Sequence, residues 1–260
     1  ARSRRMNAAI EDSLASFRSV FASVAARQGL ERNVVGRVGD DELLFWTRPA
    51  QRGPGATVFL SAGIHGDEPC GPLALLEYLR SSPLSDEFEW VVAPVLNPSG
   101  LRTGTRENAD GIDLNRDFLR KRSGEVRAIT EWWSRRRPRA MLHLSLHEDW
   151  EARGFYLYEI NTGDRPAIGS RIVERIAPLF PVQEEGPVDD HELSSPGLIV
   201  HAPEPDDPDG WPEAIWLAKQ FPVLSLTFEA PGAYGSRLRR TGLMAAIAAT
   251  MRRVSHGQAD

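Results

Sequence analysis

His65 and Glu68 are the first residues along the chain whose types and spacing could hold a metal ion. They follow the apolar run TVFLSAG (57–63), and the glutamate comes three positions after the histidine. One turn of chain can direct both side chains at a common point, and imidazole and carboxylate are good zinc ligands. On spacing alone, a surface turn or a buried, hydrogen-bonded histidine would also account for His65. A catalytic zinc normally takes three ligands from the protein, so a third is required.

The third ligand is expected at the end of the run AMLHLSLHEDW. Its leucines alternate with His143, Ser145 and His147, so leucines and histidines lie on opposite faces of a strand. His147 ends this strand and is level with His65 if the two strands are parallel. His143 lies about 13 Å further back along the strand. His147 is therefore the predicted ligand, and His143 a hydrogen-bonded interior residue.

Glu229 offers the general base that such a site needs. It ends the run VLSLTFEAP on the polar face of a predicted strand. A strand-end carboxylate is by itself more often solvated or salt-bridged. Beside a zinc ion, however, it could take a proton from the activated water.

Two other acidic groupings are expected to have no role in metal binding. His201 and Glu204 repeat the H-x-x-E spacing, but prolines on both sides of Glu204 oppose a helical turn. A solvated loop is the favoured interpretation there. Glu148 and Asp149 directly follow His147 and raise the alternative of a second metal ion, which we do not expect.

The elements that must position these residues follow an α/β pattern. Apolar residues at helical spacing, among them Ile10 and Phe17, predict an amphipathic N-terminal helix within residues 1–30. A hairpin around Gly39 comes next, and strands then alternate with helix-length segments. This alternation implies a single domain, residues 1–260, with a mixed or largely parallel sheet covered on both faces. The predicted strands are 57–63, 89–98, 140–147, 154–160 and 223–231, the predicted helices are 69–81, 125–137, 166–180, 211–220 and 236–254, and polar loops are expected over 99–122 and 181–210.

Composition and charge narrow the class of partner. The formal net charge of −5 gives no electrostatic reason to expect nucleic acid. No apolar run approaches the roughly 20 residues of a membrane span, and the N-terminal stretch lacks the apolar segment of a secretory signal. The single cysteine, Cys70, cannot form an internal disulfide, which favours a reducing compartment. We expect a cytoplasmic protein, although processing of the N-terminus would leave export open.

An ordered set of motifs between residues 57 and 235 resembles the zinc carboxypeptidases of the carboxypeptidase A superfamily. The H-x-x-E pair is followed by N-P-x-G at 97–100, R-x-N at 106–108 and D-L-N-R-x-F at 113–118, then by His147 and Glu229. Compact bacterial members of the murein tripeptide amidase type are the most similar. The resemblance implies a central, mixed, mostly parallel sheet of about eight strands with helices on both faces.

The same resemblance implies a metallocarboxypeptidase that hydrolyses the C-terminal amide bond of a short peptide. His65, Glu68 and His147 would bind one Zn²⁺ per chain, and Glu229 would act as the general base toward the zinc-activated water. A departure from the family is that Ser145 stands where an aspartate usually precedes the third ligand, which removes a carboxylate that could orient the histidine.

Three further residues take roles from the resemblance. Arg106 would polarise the scissile carbonyl and stabilise its oxyanion. Asn115 and Arg116 would bind the terminal carboxylate of the substrate, which a planar guanidinium can hold through two parallel hydrogen bonds. The expected partner is thus a small peptide with a free C-terminal carboxylate, not a nucleic acid or a membrane.

Two other functions compete with this one. An N-acyl amino acid amidohydrolase of the succinylglutamate desuccinylase/aspartoacylase type would share the zinc site and an arginine pair. Those relatives tend to lack the glycine of N-P-x-G and the R-x-N-x-x-G element, which are present here. A catalytically inactive binding module would not be expected to retain all of the site residues together.

Overall fold

Helix and strand bounds follow the predicted alternation closely. The computed structural model describes residues 2–53 and 55–255, with residues 2–13 described by their backbone alone. The strands in this part of the chain are β1 (Glu31–Val38), β2 (Asp41–Arg48), β3 (Thr57–Ala62), β4 (Glu89–Ala93), β5 (Met141–Asp149), β6 (Tyr156–Asn161), β7 (Leu198–Val200) and β8 (Val223–Pro231). The helices are α1 (Arg2–Arg27), α2 (Cys70–Ser81), α3 (Pro98–Thr103), α4 (Gly124–Arg136), α5 (Gly169–Ile176), α6 (Glu213–Gln220) and α7 (Ser236–Ser255).

The described strands form one mixed sheet in the order β1-β2-β4-β3-β5-β8-β6-β7. Its centre is parallel, because β3 pairs with both β4 and β5, and β5 pairs with β8 in the same direction. The β6–β7 pair is also parallel, whereas β1–β2, β2–β4 and β6–β8 are antiparallel. The predicted α/β class, with a mostly parallel sheet of about eight strands in a single domain, is confirmed.

Helices cover both faces of the sheet, and the alternation in β5 explains why. Its leucines pack into one core with residues of α2, α5 and α7. On the opposite face, Phe59 and Met141 of the sheet pack against Trp133 of α4 and residues of α6. Central strands that are buried on both faces need such near-continuous apolar runs.

The N-terminal helix α1 packs on this domain through its C-terminal half. Phe21 and Val24 are buried in the same core as Trp46. The side chain of Gln28, just beyond the helix, donates hydrogen bonds to the carbonyls at the end of α2, at 2.6 Å from the oxygen of Leu79. Ile10, placed by the sequence on the apolar face, lies outside the described side chains. The extent 1–260 assigned to the domain stays a prediction.

Four predicted segments differ from the structure. Strand 89–98 ends at Ala93, because the chain then leaves the sheet and α3 begins at Pro98 with the Asn97 side chain accepting from the backbone N of Gly100 at 2.8 Å. The helix predicted over 166–180 is only α5, Gly169–Ile176. The loop 99–122 contains α3 and a 3₁₀ turn, Leu114–Arg116, and the loop 181–210 contains β7. None of the helices in the described ranges combines the length and the apolar character that crossing a membrane requires.

Candidate active site

The carboxyl ends of β3, β5 and β8 meet at one edge of the sheet and place three of the predicted site residues there. Ala62 at the end of β3 is level with Leu146 of β5, so His65 and His147 lie close together. His147 is in turn the register partner of Glu229 in β8. Ligands of α/β sheets bind at this edge because the loops there are free to converge.

His65, Glu68 and His147 form a buried cluster. Their ligand atoms all lie within 4.8 Å of one another. His65 Nδ1 is 2.6 Å from Glu68 Oε1, and His147 Nδ1 is 3.0 Å from Glu68 Oε2. The three residues are 3%, 7% and 4% exposed, in that order. The predicted ligand set is thus brought together as two imidazole nitrogens facing one carboxylate.

This donor set fits a zinc ion. Two imidazoles and one carboxylate are the three protein ligands found in many catalytic zinc sites. Burial raises the pKa of Glu68, but His147 and His65 outweigh it and lower the pKa to about 2, so the carboxylate is charged. A charged carboxylate and two imidazole nitrogens that converge away from bulk water are suited to hold a divalent cation.

Asp113 is a site residue that the sequence pattern did not single out. Its Oδ1 lies 3.4 Å from His65 Nε2, and its Oδ2 accepts from Arg106 Nε at 2.9 Å. Burial would raise the pKa of Asp113, yet His65 and Arg106 lower it overall. A carboxylate behind a ligating histidine fixes the orientation and tautomer of the ring. Its position two residues before Asn115, within D-L-N-R, was the available signal.

Arg106 lies beside the cluster in a fixed orientation. Its Nη1 is 3.3 Å from His65 Nδ1 and 3.8 Å from Glu68 Oε1, while Asp113 holds its Nε. The guanidinium is half-buried. A cation held there can meet negative charge that develops on a substrate oxygen next to the metal ligands.

Asn115 and Arg116 lie on the 3₁₀ turn that follows Asp113. The Asp113 side chain caps this turn by accepting from Asn115 N at 2.8 Å, and Asn115 Oδ1 accepts from the backbone N of Glu213 at 2.9 Å. Arg116 donates to the Asn115 carbonyl at 2.9 Å and is exposed. Within the described residues, no carboxylate lies within salt-bridge distance of the Arg116 guanidinium.

Glu229 is half-buried at the base of the cleft. Removal from bulk water raises its pKa well above the ordinary value, and the negative charges of Glu68 and Asp149 add to the effect. Asp149 itself accepts from the hydroxyl of Tyr156 at 2.9 Å. A carboxylate with a raised pKa is a stronger base than an ordinary glutamate once it is deprotonated.

One cleft of about 610 Å³ is lined by every predicted site residue. Its walls also include Trp150, Tyr156 and Tyr158 and part of the 181–210 segment. This volume suits a small molecule or a few residues of peptide. The site residues that the structure brings to this cleft are His65, Glu68, Arg106, Asn115, Arg116, His147 and Glu229.

His143 has the interior role that was predicted. It is fully buried, with Nδ1 2.8 Å from Ser225 Oγ and Nε2 3.0 Å from Ser61 Oγ. Ser61 Oγ also donates to Glu213 Oε2 at 2.7 Å. The network therefore connects the middle of the sheet to α6, whose first residue, Glu213, also binds the Asn115 side chain through its backbone N.

The acidic residues after His147 have protein partners of their own. Glu148 accepts from the backbone N of Cys70 at 2.6 Å and pairs with Arg239. Asp149 is held by Tyr156, as described above. Neither belongs to a group of described residues that could hold a metal ion. That they bind no second ion stays a prediction.

Comparison with solved structures places this fold among the metallopeptidases. A protein from Shewanella amazonensis described as a candidate metallopeptidase superposes with a TM-score of 0.77 at 25% identity, over 91% of both chains. The murein-tripeptide amidase of Escherichia coli O157 superposes with a TM-score of 0.57 at 20% identity, over 85% of this chain and 91% of that one. The predicted fold is confirmed.

The family model of the succinylglutamate desuccinylase/aspartoacylase catalytic domain matches residues 54–194, more than half of the sequence, and the chain belongs to this family. Among curated proteins, murein peptide amidase A of Vibrio campbellii is 28% identical over 195 residues, which cover 72% of this chain and 66% of that protein. The family model is thus that of the alternative hydrolase weighed above. The curated relative and the solved structures named here are instead murein peptide amidases and a candidate metallopeptidase.

Proposed function

We propose that this protein is a zinc-dependent hydrolase of the carboxypeptidase type that cleaves the C-terminal amide bond of a short peptide. The observation that carries the proposal is the convergence of the whole predicted set on one cleft, with His65, Glu68 and His147 within 4.8 Å of one another. The relatives named murein peptide amidase favour a cell-wall peptide as the substrate.

The residues divide the chemistry between them. A zinc ion, when bound by the three ligands, supplies Lewis acidity toward the scissile carbonyl and the attacking water. Glu229 accepts the proton of that water and returns it to the leaving amine, a role favoured by its raised pKa. Arg106, oriented by Asp113, stabilises the negative charge on the carbonyl oxygen.

Recognition of the substrate's end falls to Arg116 and Asn115. The Arg116 guanidinium is exposed in the cleft and its described surroundings leave it without a carboxylate partner, so a terminal carboxylate can pair with it. Asn115 is held by the backbone of Glu213 through its Oδ1, which turns its amide N–H groups to donate elsewhere. Both contacts select a free C-terminus.

The alternative is hydrolysis of N-acyl amino acids, and the family match is the observation that favours it. Such substrates also end in a carboxylate, so Arg116 would serve either reaction. The cleft volume of about 610 Å³, with a wall that includes residues of the 181–210 segment, favours a peptide over a single acylated amino acid.

The test is metal content combined with substrate preference. Purified protein should contain zinc at the proposed site, and His65→Ala or His147→Ala should lose that ion together with activity. Short peptides, including cell-wall peptides, should be cleaved faster than N-acyl amino acids. Metal content that is unaffected by both substitutions would contradict the site, and preference for N-acyl amino acids would replace the peptidase by the alternative.

The cell compartment belongs to the proposal as well. A buried, unpaired Cys70 supports a reducing environment, and we propose the cytoplasm.

A further inference from the structure

A second group of metal-ligating side chains lies on the wall of the cleft, in the 181–210 segment. His191, His201 and Asp206 each direct one ligand atom at the others, and these atoms lie within 4.8 Å of one another. Asp206 Oδ2 is 3.4 Å from His191 Nε2 and 3.2 Å from His201 Nε2. The three side chains line the same cleft as the proposed catalytic residues, and none of them belongs to the group His65, Glu68 and His147.

The carboxylate that faces His201 is not the one at H-x-x-E spacing. Glu204, three positions later, forms an ion pair with Lys219 at 2.6 Å and is not part of the group. The partner is Asp206, five positions after the histidine, at 3.3 Å and 3.2 Å from its two oxygens. The expectation that His201 and Glu204 do not form a ligand pair agrees with these contacts.

The hydrogen bonding of His201 fixes which ring nitrogen faces the carboxylate. Its Nδ1 is 2.5 Å from the carbonyl oxygen of Ala202, and a carbonyl can only accept, so Nδ1 carries the proton. In the neutral imidazole, Nε2 is then unprotonated and carries a lone pair. That lone pair faces both oxygens of Asp206, an arrangement that repels unless a proton or a metal ion stands between them.

The group is held in place before any ligand arrives. His191 is fixed by two backbone hydrogen bonds with Val188, both 2.9 Å, and the backbone N of His201 donates to Glu159 at 2.9 Å. The ring of Tyr158 packs against both imidazoles, with centroids 5.5 Å and 6.2 Å away. Fixed ligands with a backbone acceptor behind one histidine are typical of metal sites.

We propose that His191, His201 and Asp206 bind a second divalent ion of the zinc class. Two imidazole nitrogens favour zinc or a similar first-row ion over calcium or magnesium, which prefer oxygen ligands. The side chain of Asp206 is 70% exposed, so an ion could reach the group from solvent and from the cleft. The ion would tie the turn at 188–191 to the segment 201–206 and so fix this wall of the cleft. The proposal raises the expected zinc content from one ion per chain to two.

The experiment is a zinc titration of chelator-stripped protein against a competing chromophoric chelator, at about pH 8, where an ordinary histidine is neutral. Wild type should bind two equivalents. Asp206→Asn and His201→Gln should each bind one equivalent, at His65, Glu68 and His147. The variant His147→Ala should also bind one, at the second group. Asp207→Asn, an adjacent exposed acid outside the group, is the matched control and should keep two.

A second measurement checks the position of the ion. Zinc should slow amide hydrogen exchange in residues 188–206 of wild type and of His147→Ala, but not of Asp206→Asn. The first equivalent retained by Asp206→Asn shows that this variant is folded. A wild-type content that neither Asp206→Asn nor His201→Gln lowers would overturn the proposal, and a proton would then hold the three groups together. The proposed catalytic site fails separately, if His147→Ala leaves the zinc content unchanged.

Discussion

Glu229 is the residue on which the proposed chemistry depends most. Its carboxylate is removed from bulk water and lies near the negative charges of Glu68 and Asp149. An uncharged side chain would be more stable in this environment. A protein that retains a carboxylate in such a place sacrifices folding stability for reactivity. Both sides of this exchange can be measured with one substitution.

Glu229→Gln should keep the shape of the site and remove the base. Zinc at His65, Glu68 and His147 should be retained while kcat falls by ~10²-fold or more, the usual scale for a positioned general base. Steady-state kinetics with metal analysis of the same sample checks this. Turnover near that of wild type would mean that Glu229 is only a strand-end carboxylate.

The same substitution should change the pH dependence of stability. Because the pKa of Glu229 is raised on folding, stability linked to this group is present below its ordinary pKa and is lost as pH rises through the raised value. Glu229→Gln, which stays neutral, should therefore have a higher Tm than wild type at about pH 8, and the difference should vanish near pH ~4. Thermal scans should be made with a chelator present, since a bound cation would offset the charge. Equal Tm values across this range would contradict the burial argument.

Asp113 should act on metal affinity through His65. Asp113→Asn keeps the cap on Asn115 but removes the charge behind the imidazole, so zinc affinity at this site should fall roughly 10–100-fold. Competition titration with a chelator measures it. Asp110→Asn, an exposed acid in the same loop, is the control and should change nothing. An unaltered affinity in Asp113→Asn would mean that the 3.4 Å contact does not orient the ring.

At the scale of elements, the site depends on a close approach between the loop after β3 and helix α3. A Cβ placed on Gly66 would lie 1.9 Å from the backbone carbon of Gly100. The loop that carries His65 and the N-P-x-G turn therefore pack backbone to backbone. A Cβ on Gly100 itself would lie 2.6 Å from the carbonyl oxygen of Glu107, so the glycine of N-P-x-G is a packing requirement as well.

Gly66→Ala should force these two segments apart. Overpacking of this kind typically costs about 1–3 kcal/mol of unfolding free energy, and here it should also weaken zinc binding by displacing His65. Urea unfolding and metal titration measure the two effects. Gly235→Ala, where an added Cβ meets nothing within 4 Å, is the matched control and should be near neutral. Equal stability of the two variants would contradict the close approach.

The elements also show what the sequence could predict. β3, β5 and β8 were recoverable because their apolar runs and alternation are long, and their parallel register followed from the α/β pattern. β7 has only three residues, too few to show a period, and it forms because β6 offers a free edge. Helix α3 was hidden in a polar loop, since its first turn is stabilised by the Asn97 side chain and not by an apolar face.

At the scale of the whole molecule, order along the chain predicted the catalytic residues better than local spacing did. His65, His147 and Glu229 are far apart in sequence, and the sheet alone brings them together. The group at His191, His201 and Asp206 could not be found in this way, because it belongs to no shared motif and depends on how an irregular segment folds. The H-x-x-E spacing does not identify it either, since Glu204 pairs with Lys219.

The proposed carboxypeptidase function depends most on the recognition of a free C-terminus. Arg116 is exposed in the free protein, but a bound peptide would cover it. Removing one partner of an ion pair that is desolvated in this way costs roughly 2–5 kcal/mol, so Arg116→Met should lower kcat/KM on a free peptide by about 30-fold to several thousand-fold. Amidation of the peptide's C-terminus deletes the same contact from the other side. The two losses should be non-additive, with the amidated peptide almost insensitive to Arg116→Met.

The most direct test is therefore kcat/KM of the wild-type enzyme on one short peptide with a free and with an amidated C-terminus. Both forms share every other contact, so their ratio isolates the carboxylate. Amidation should reduce kcat/KM by a factor comparable to that of Arg116→Met. Equal hydrolysis of the two peptides would contradict the carboxypeptidase assignment, whatever the zinc content of the protein.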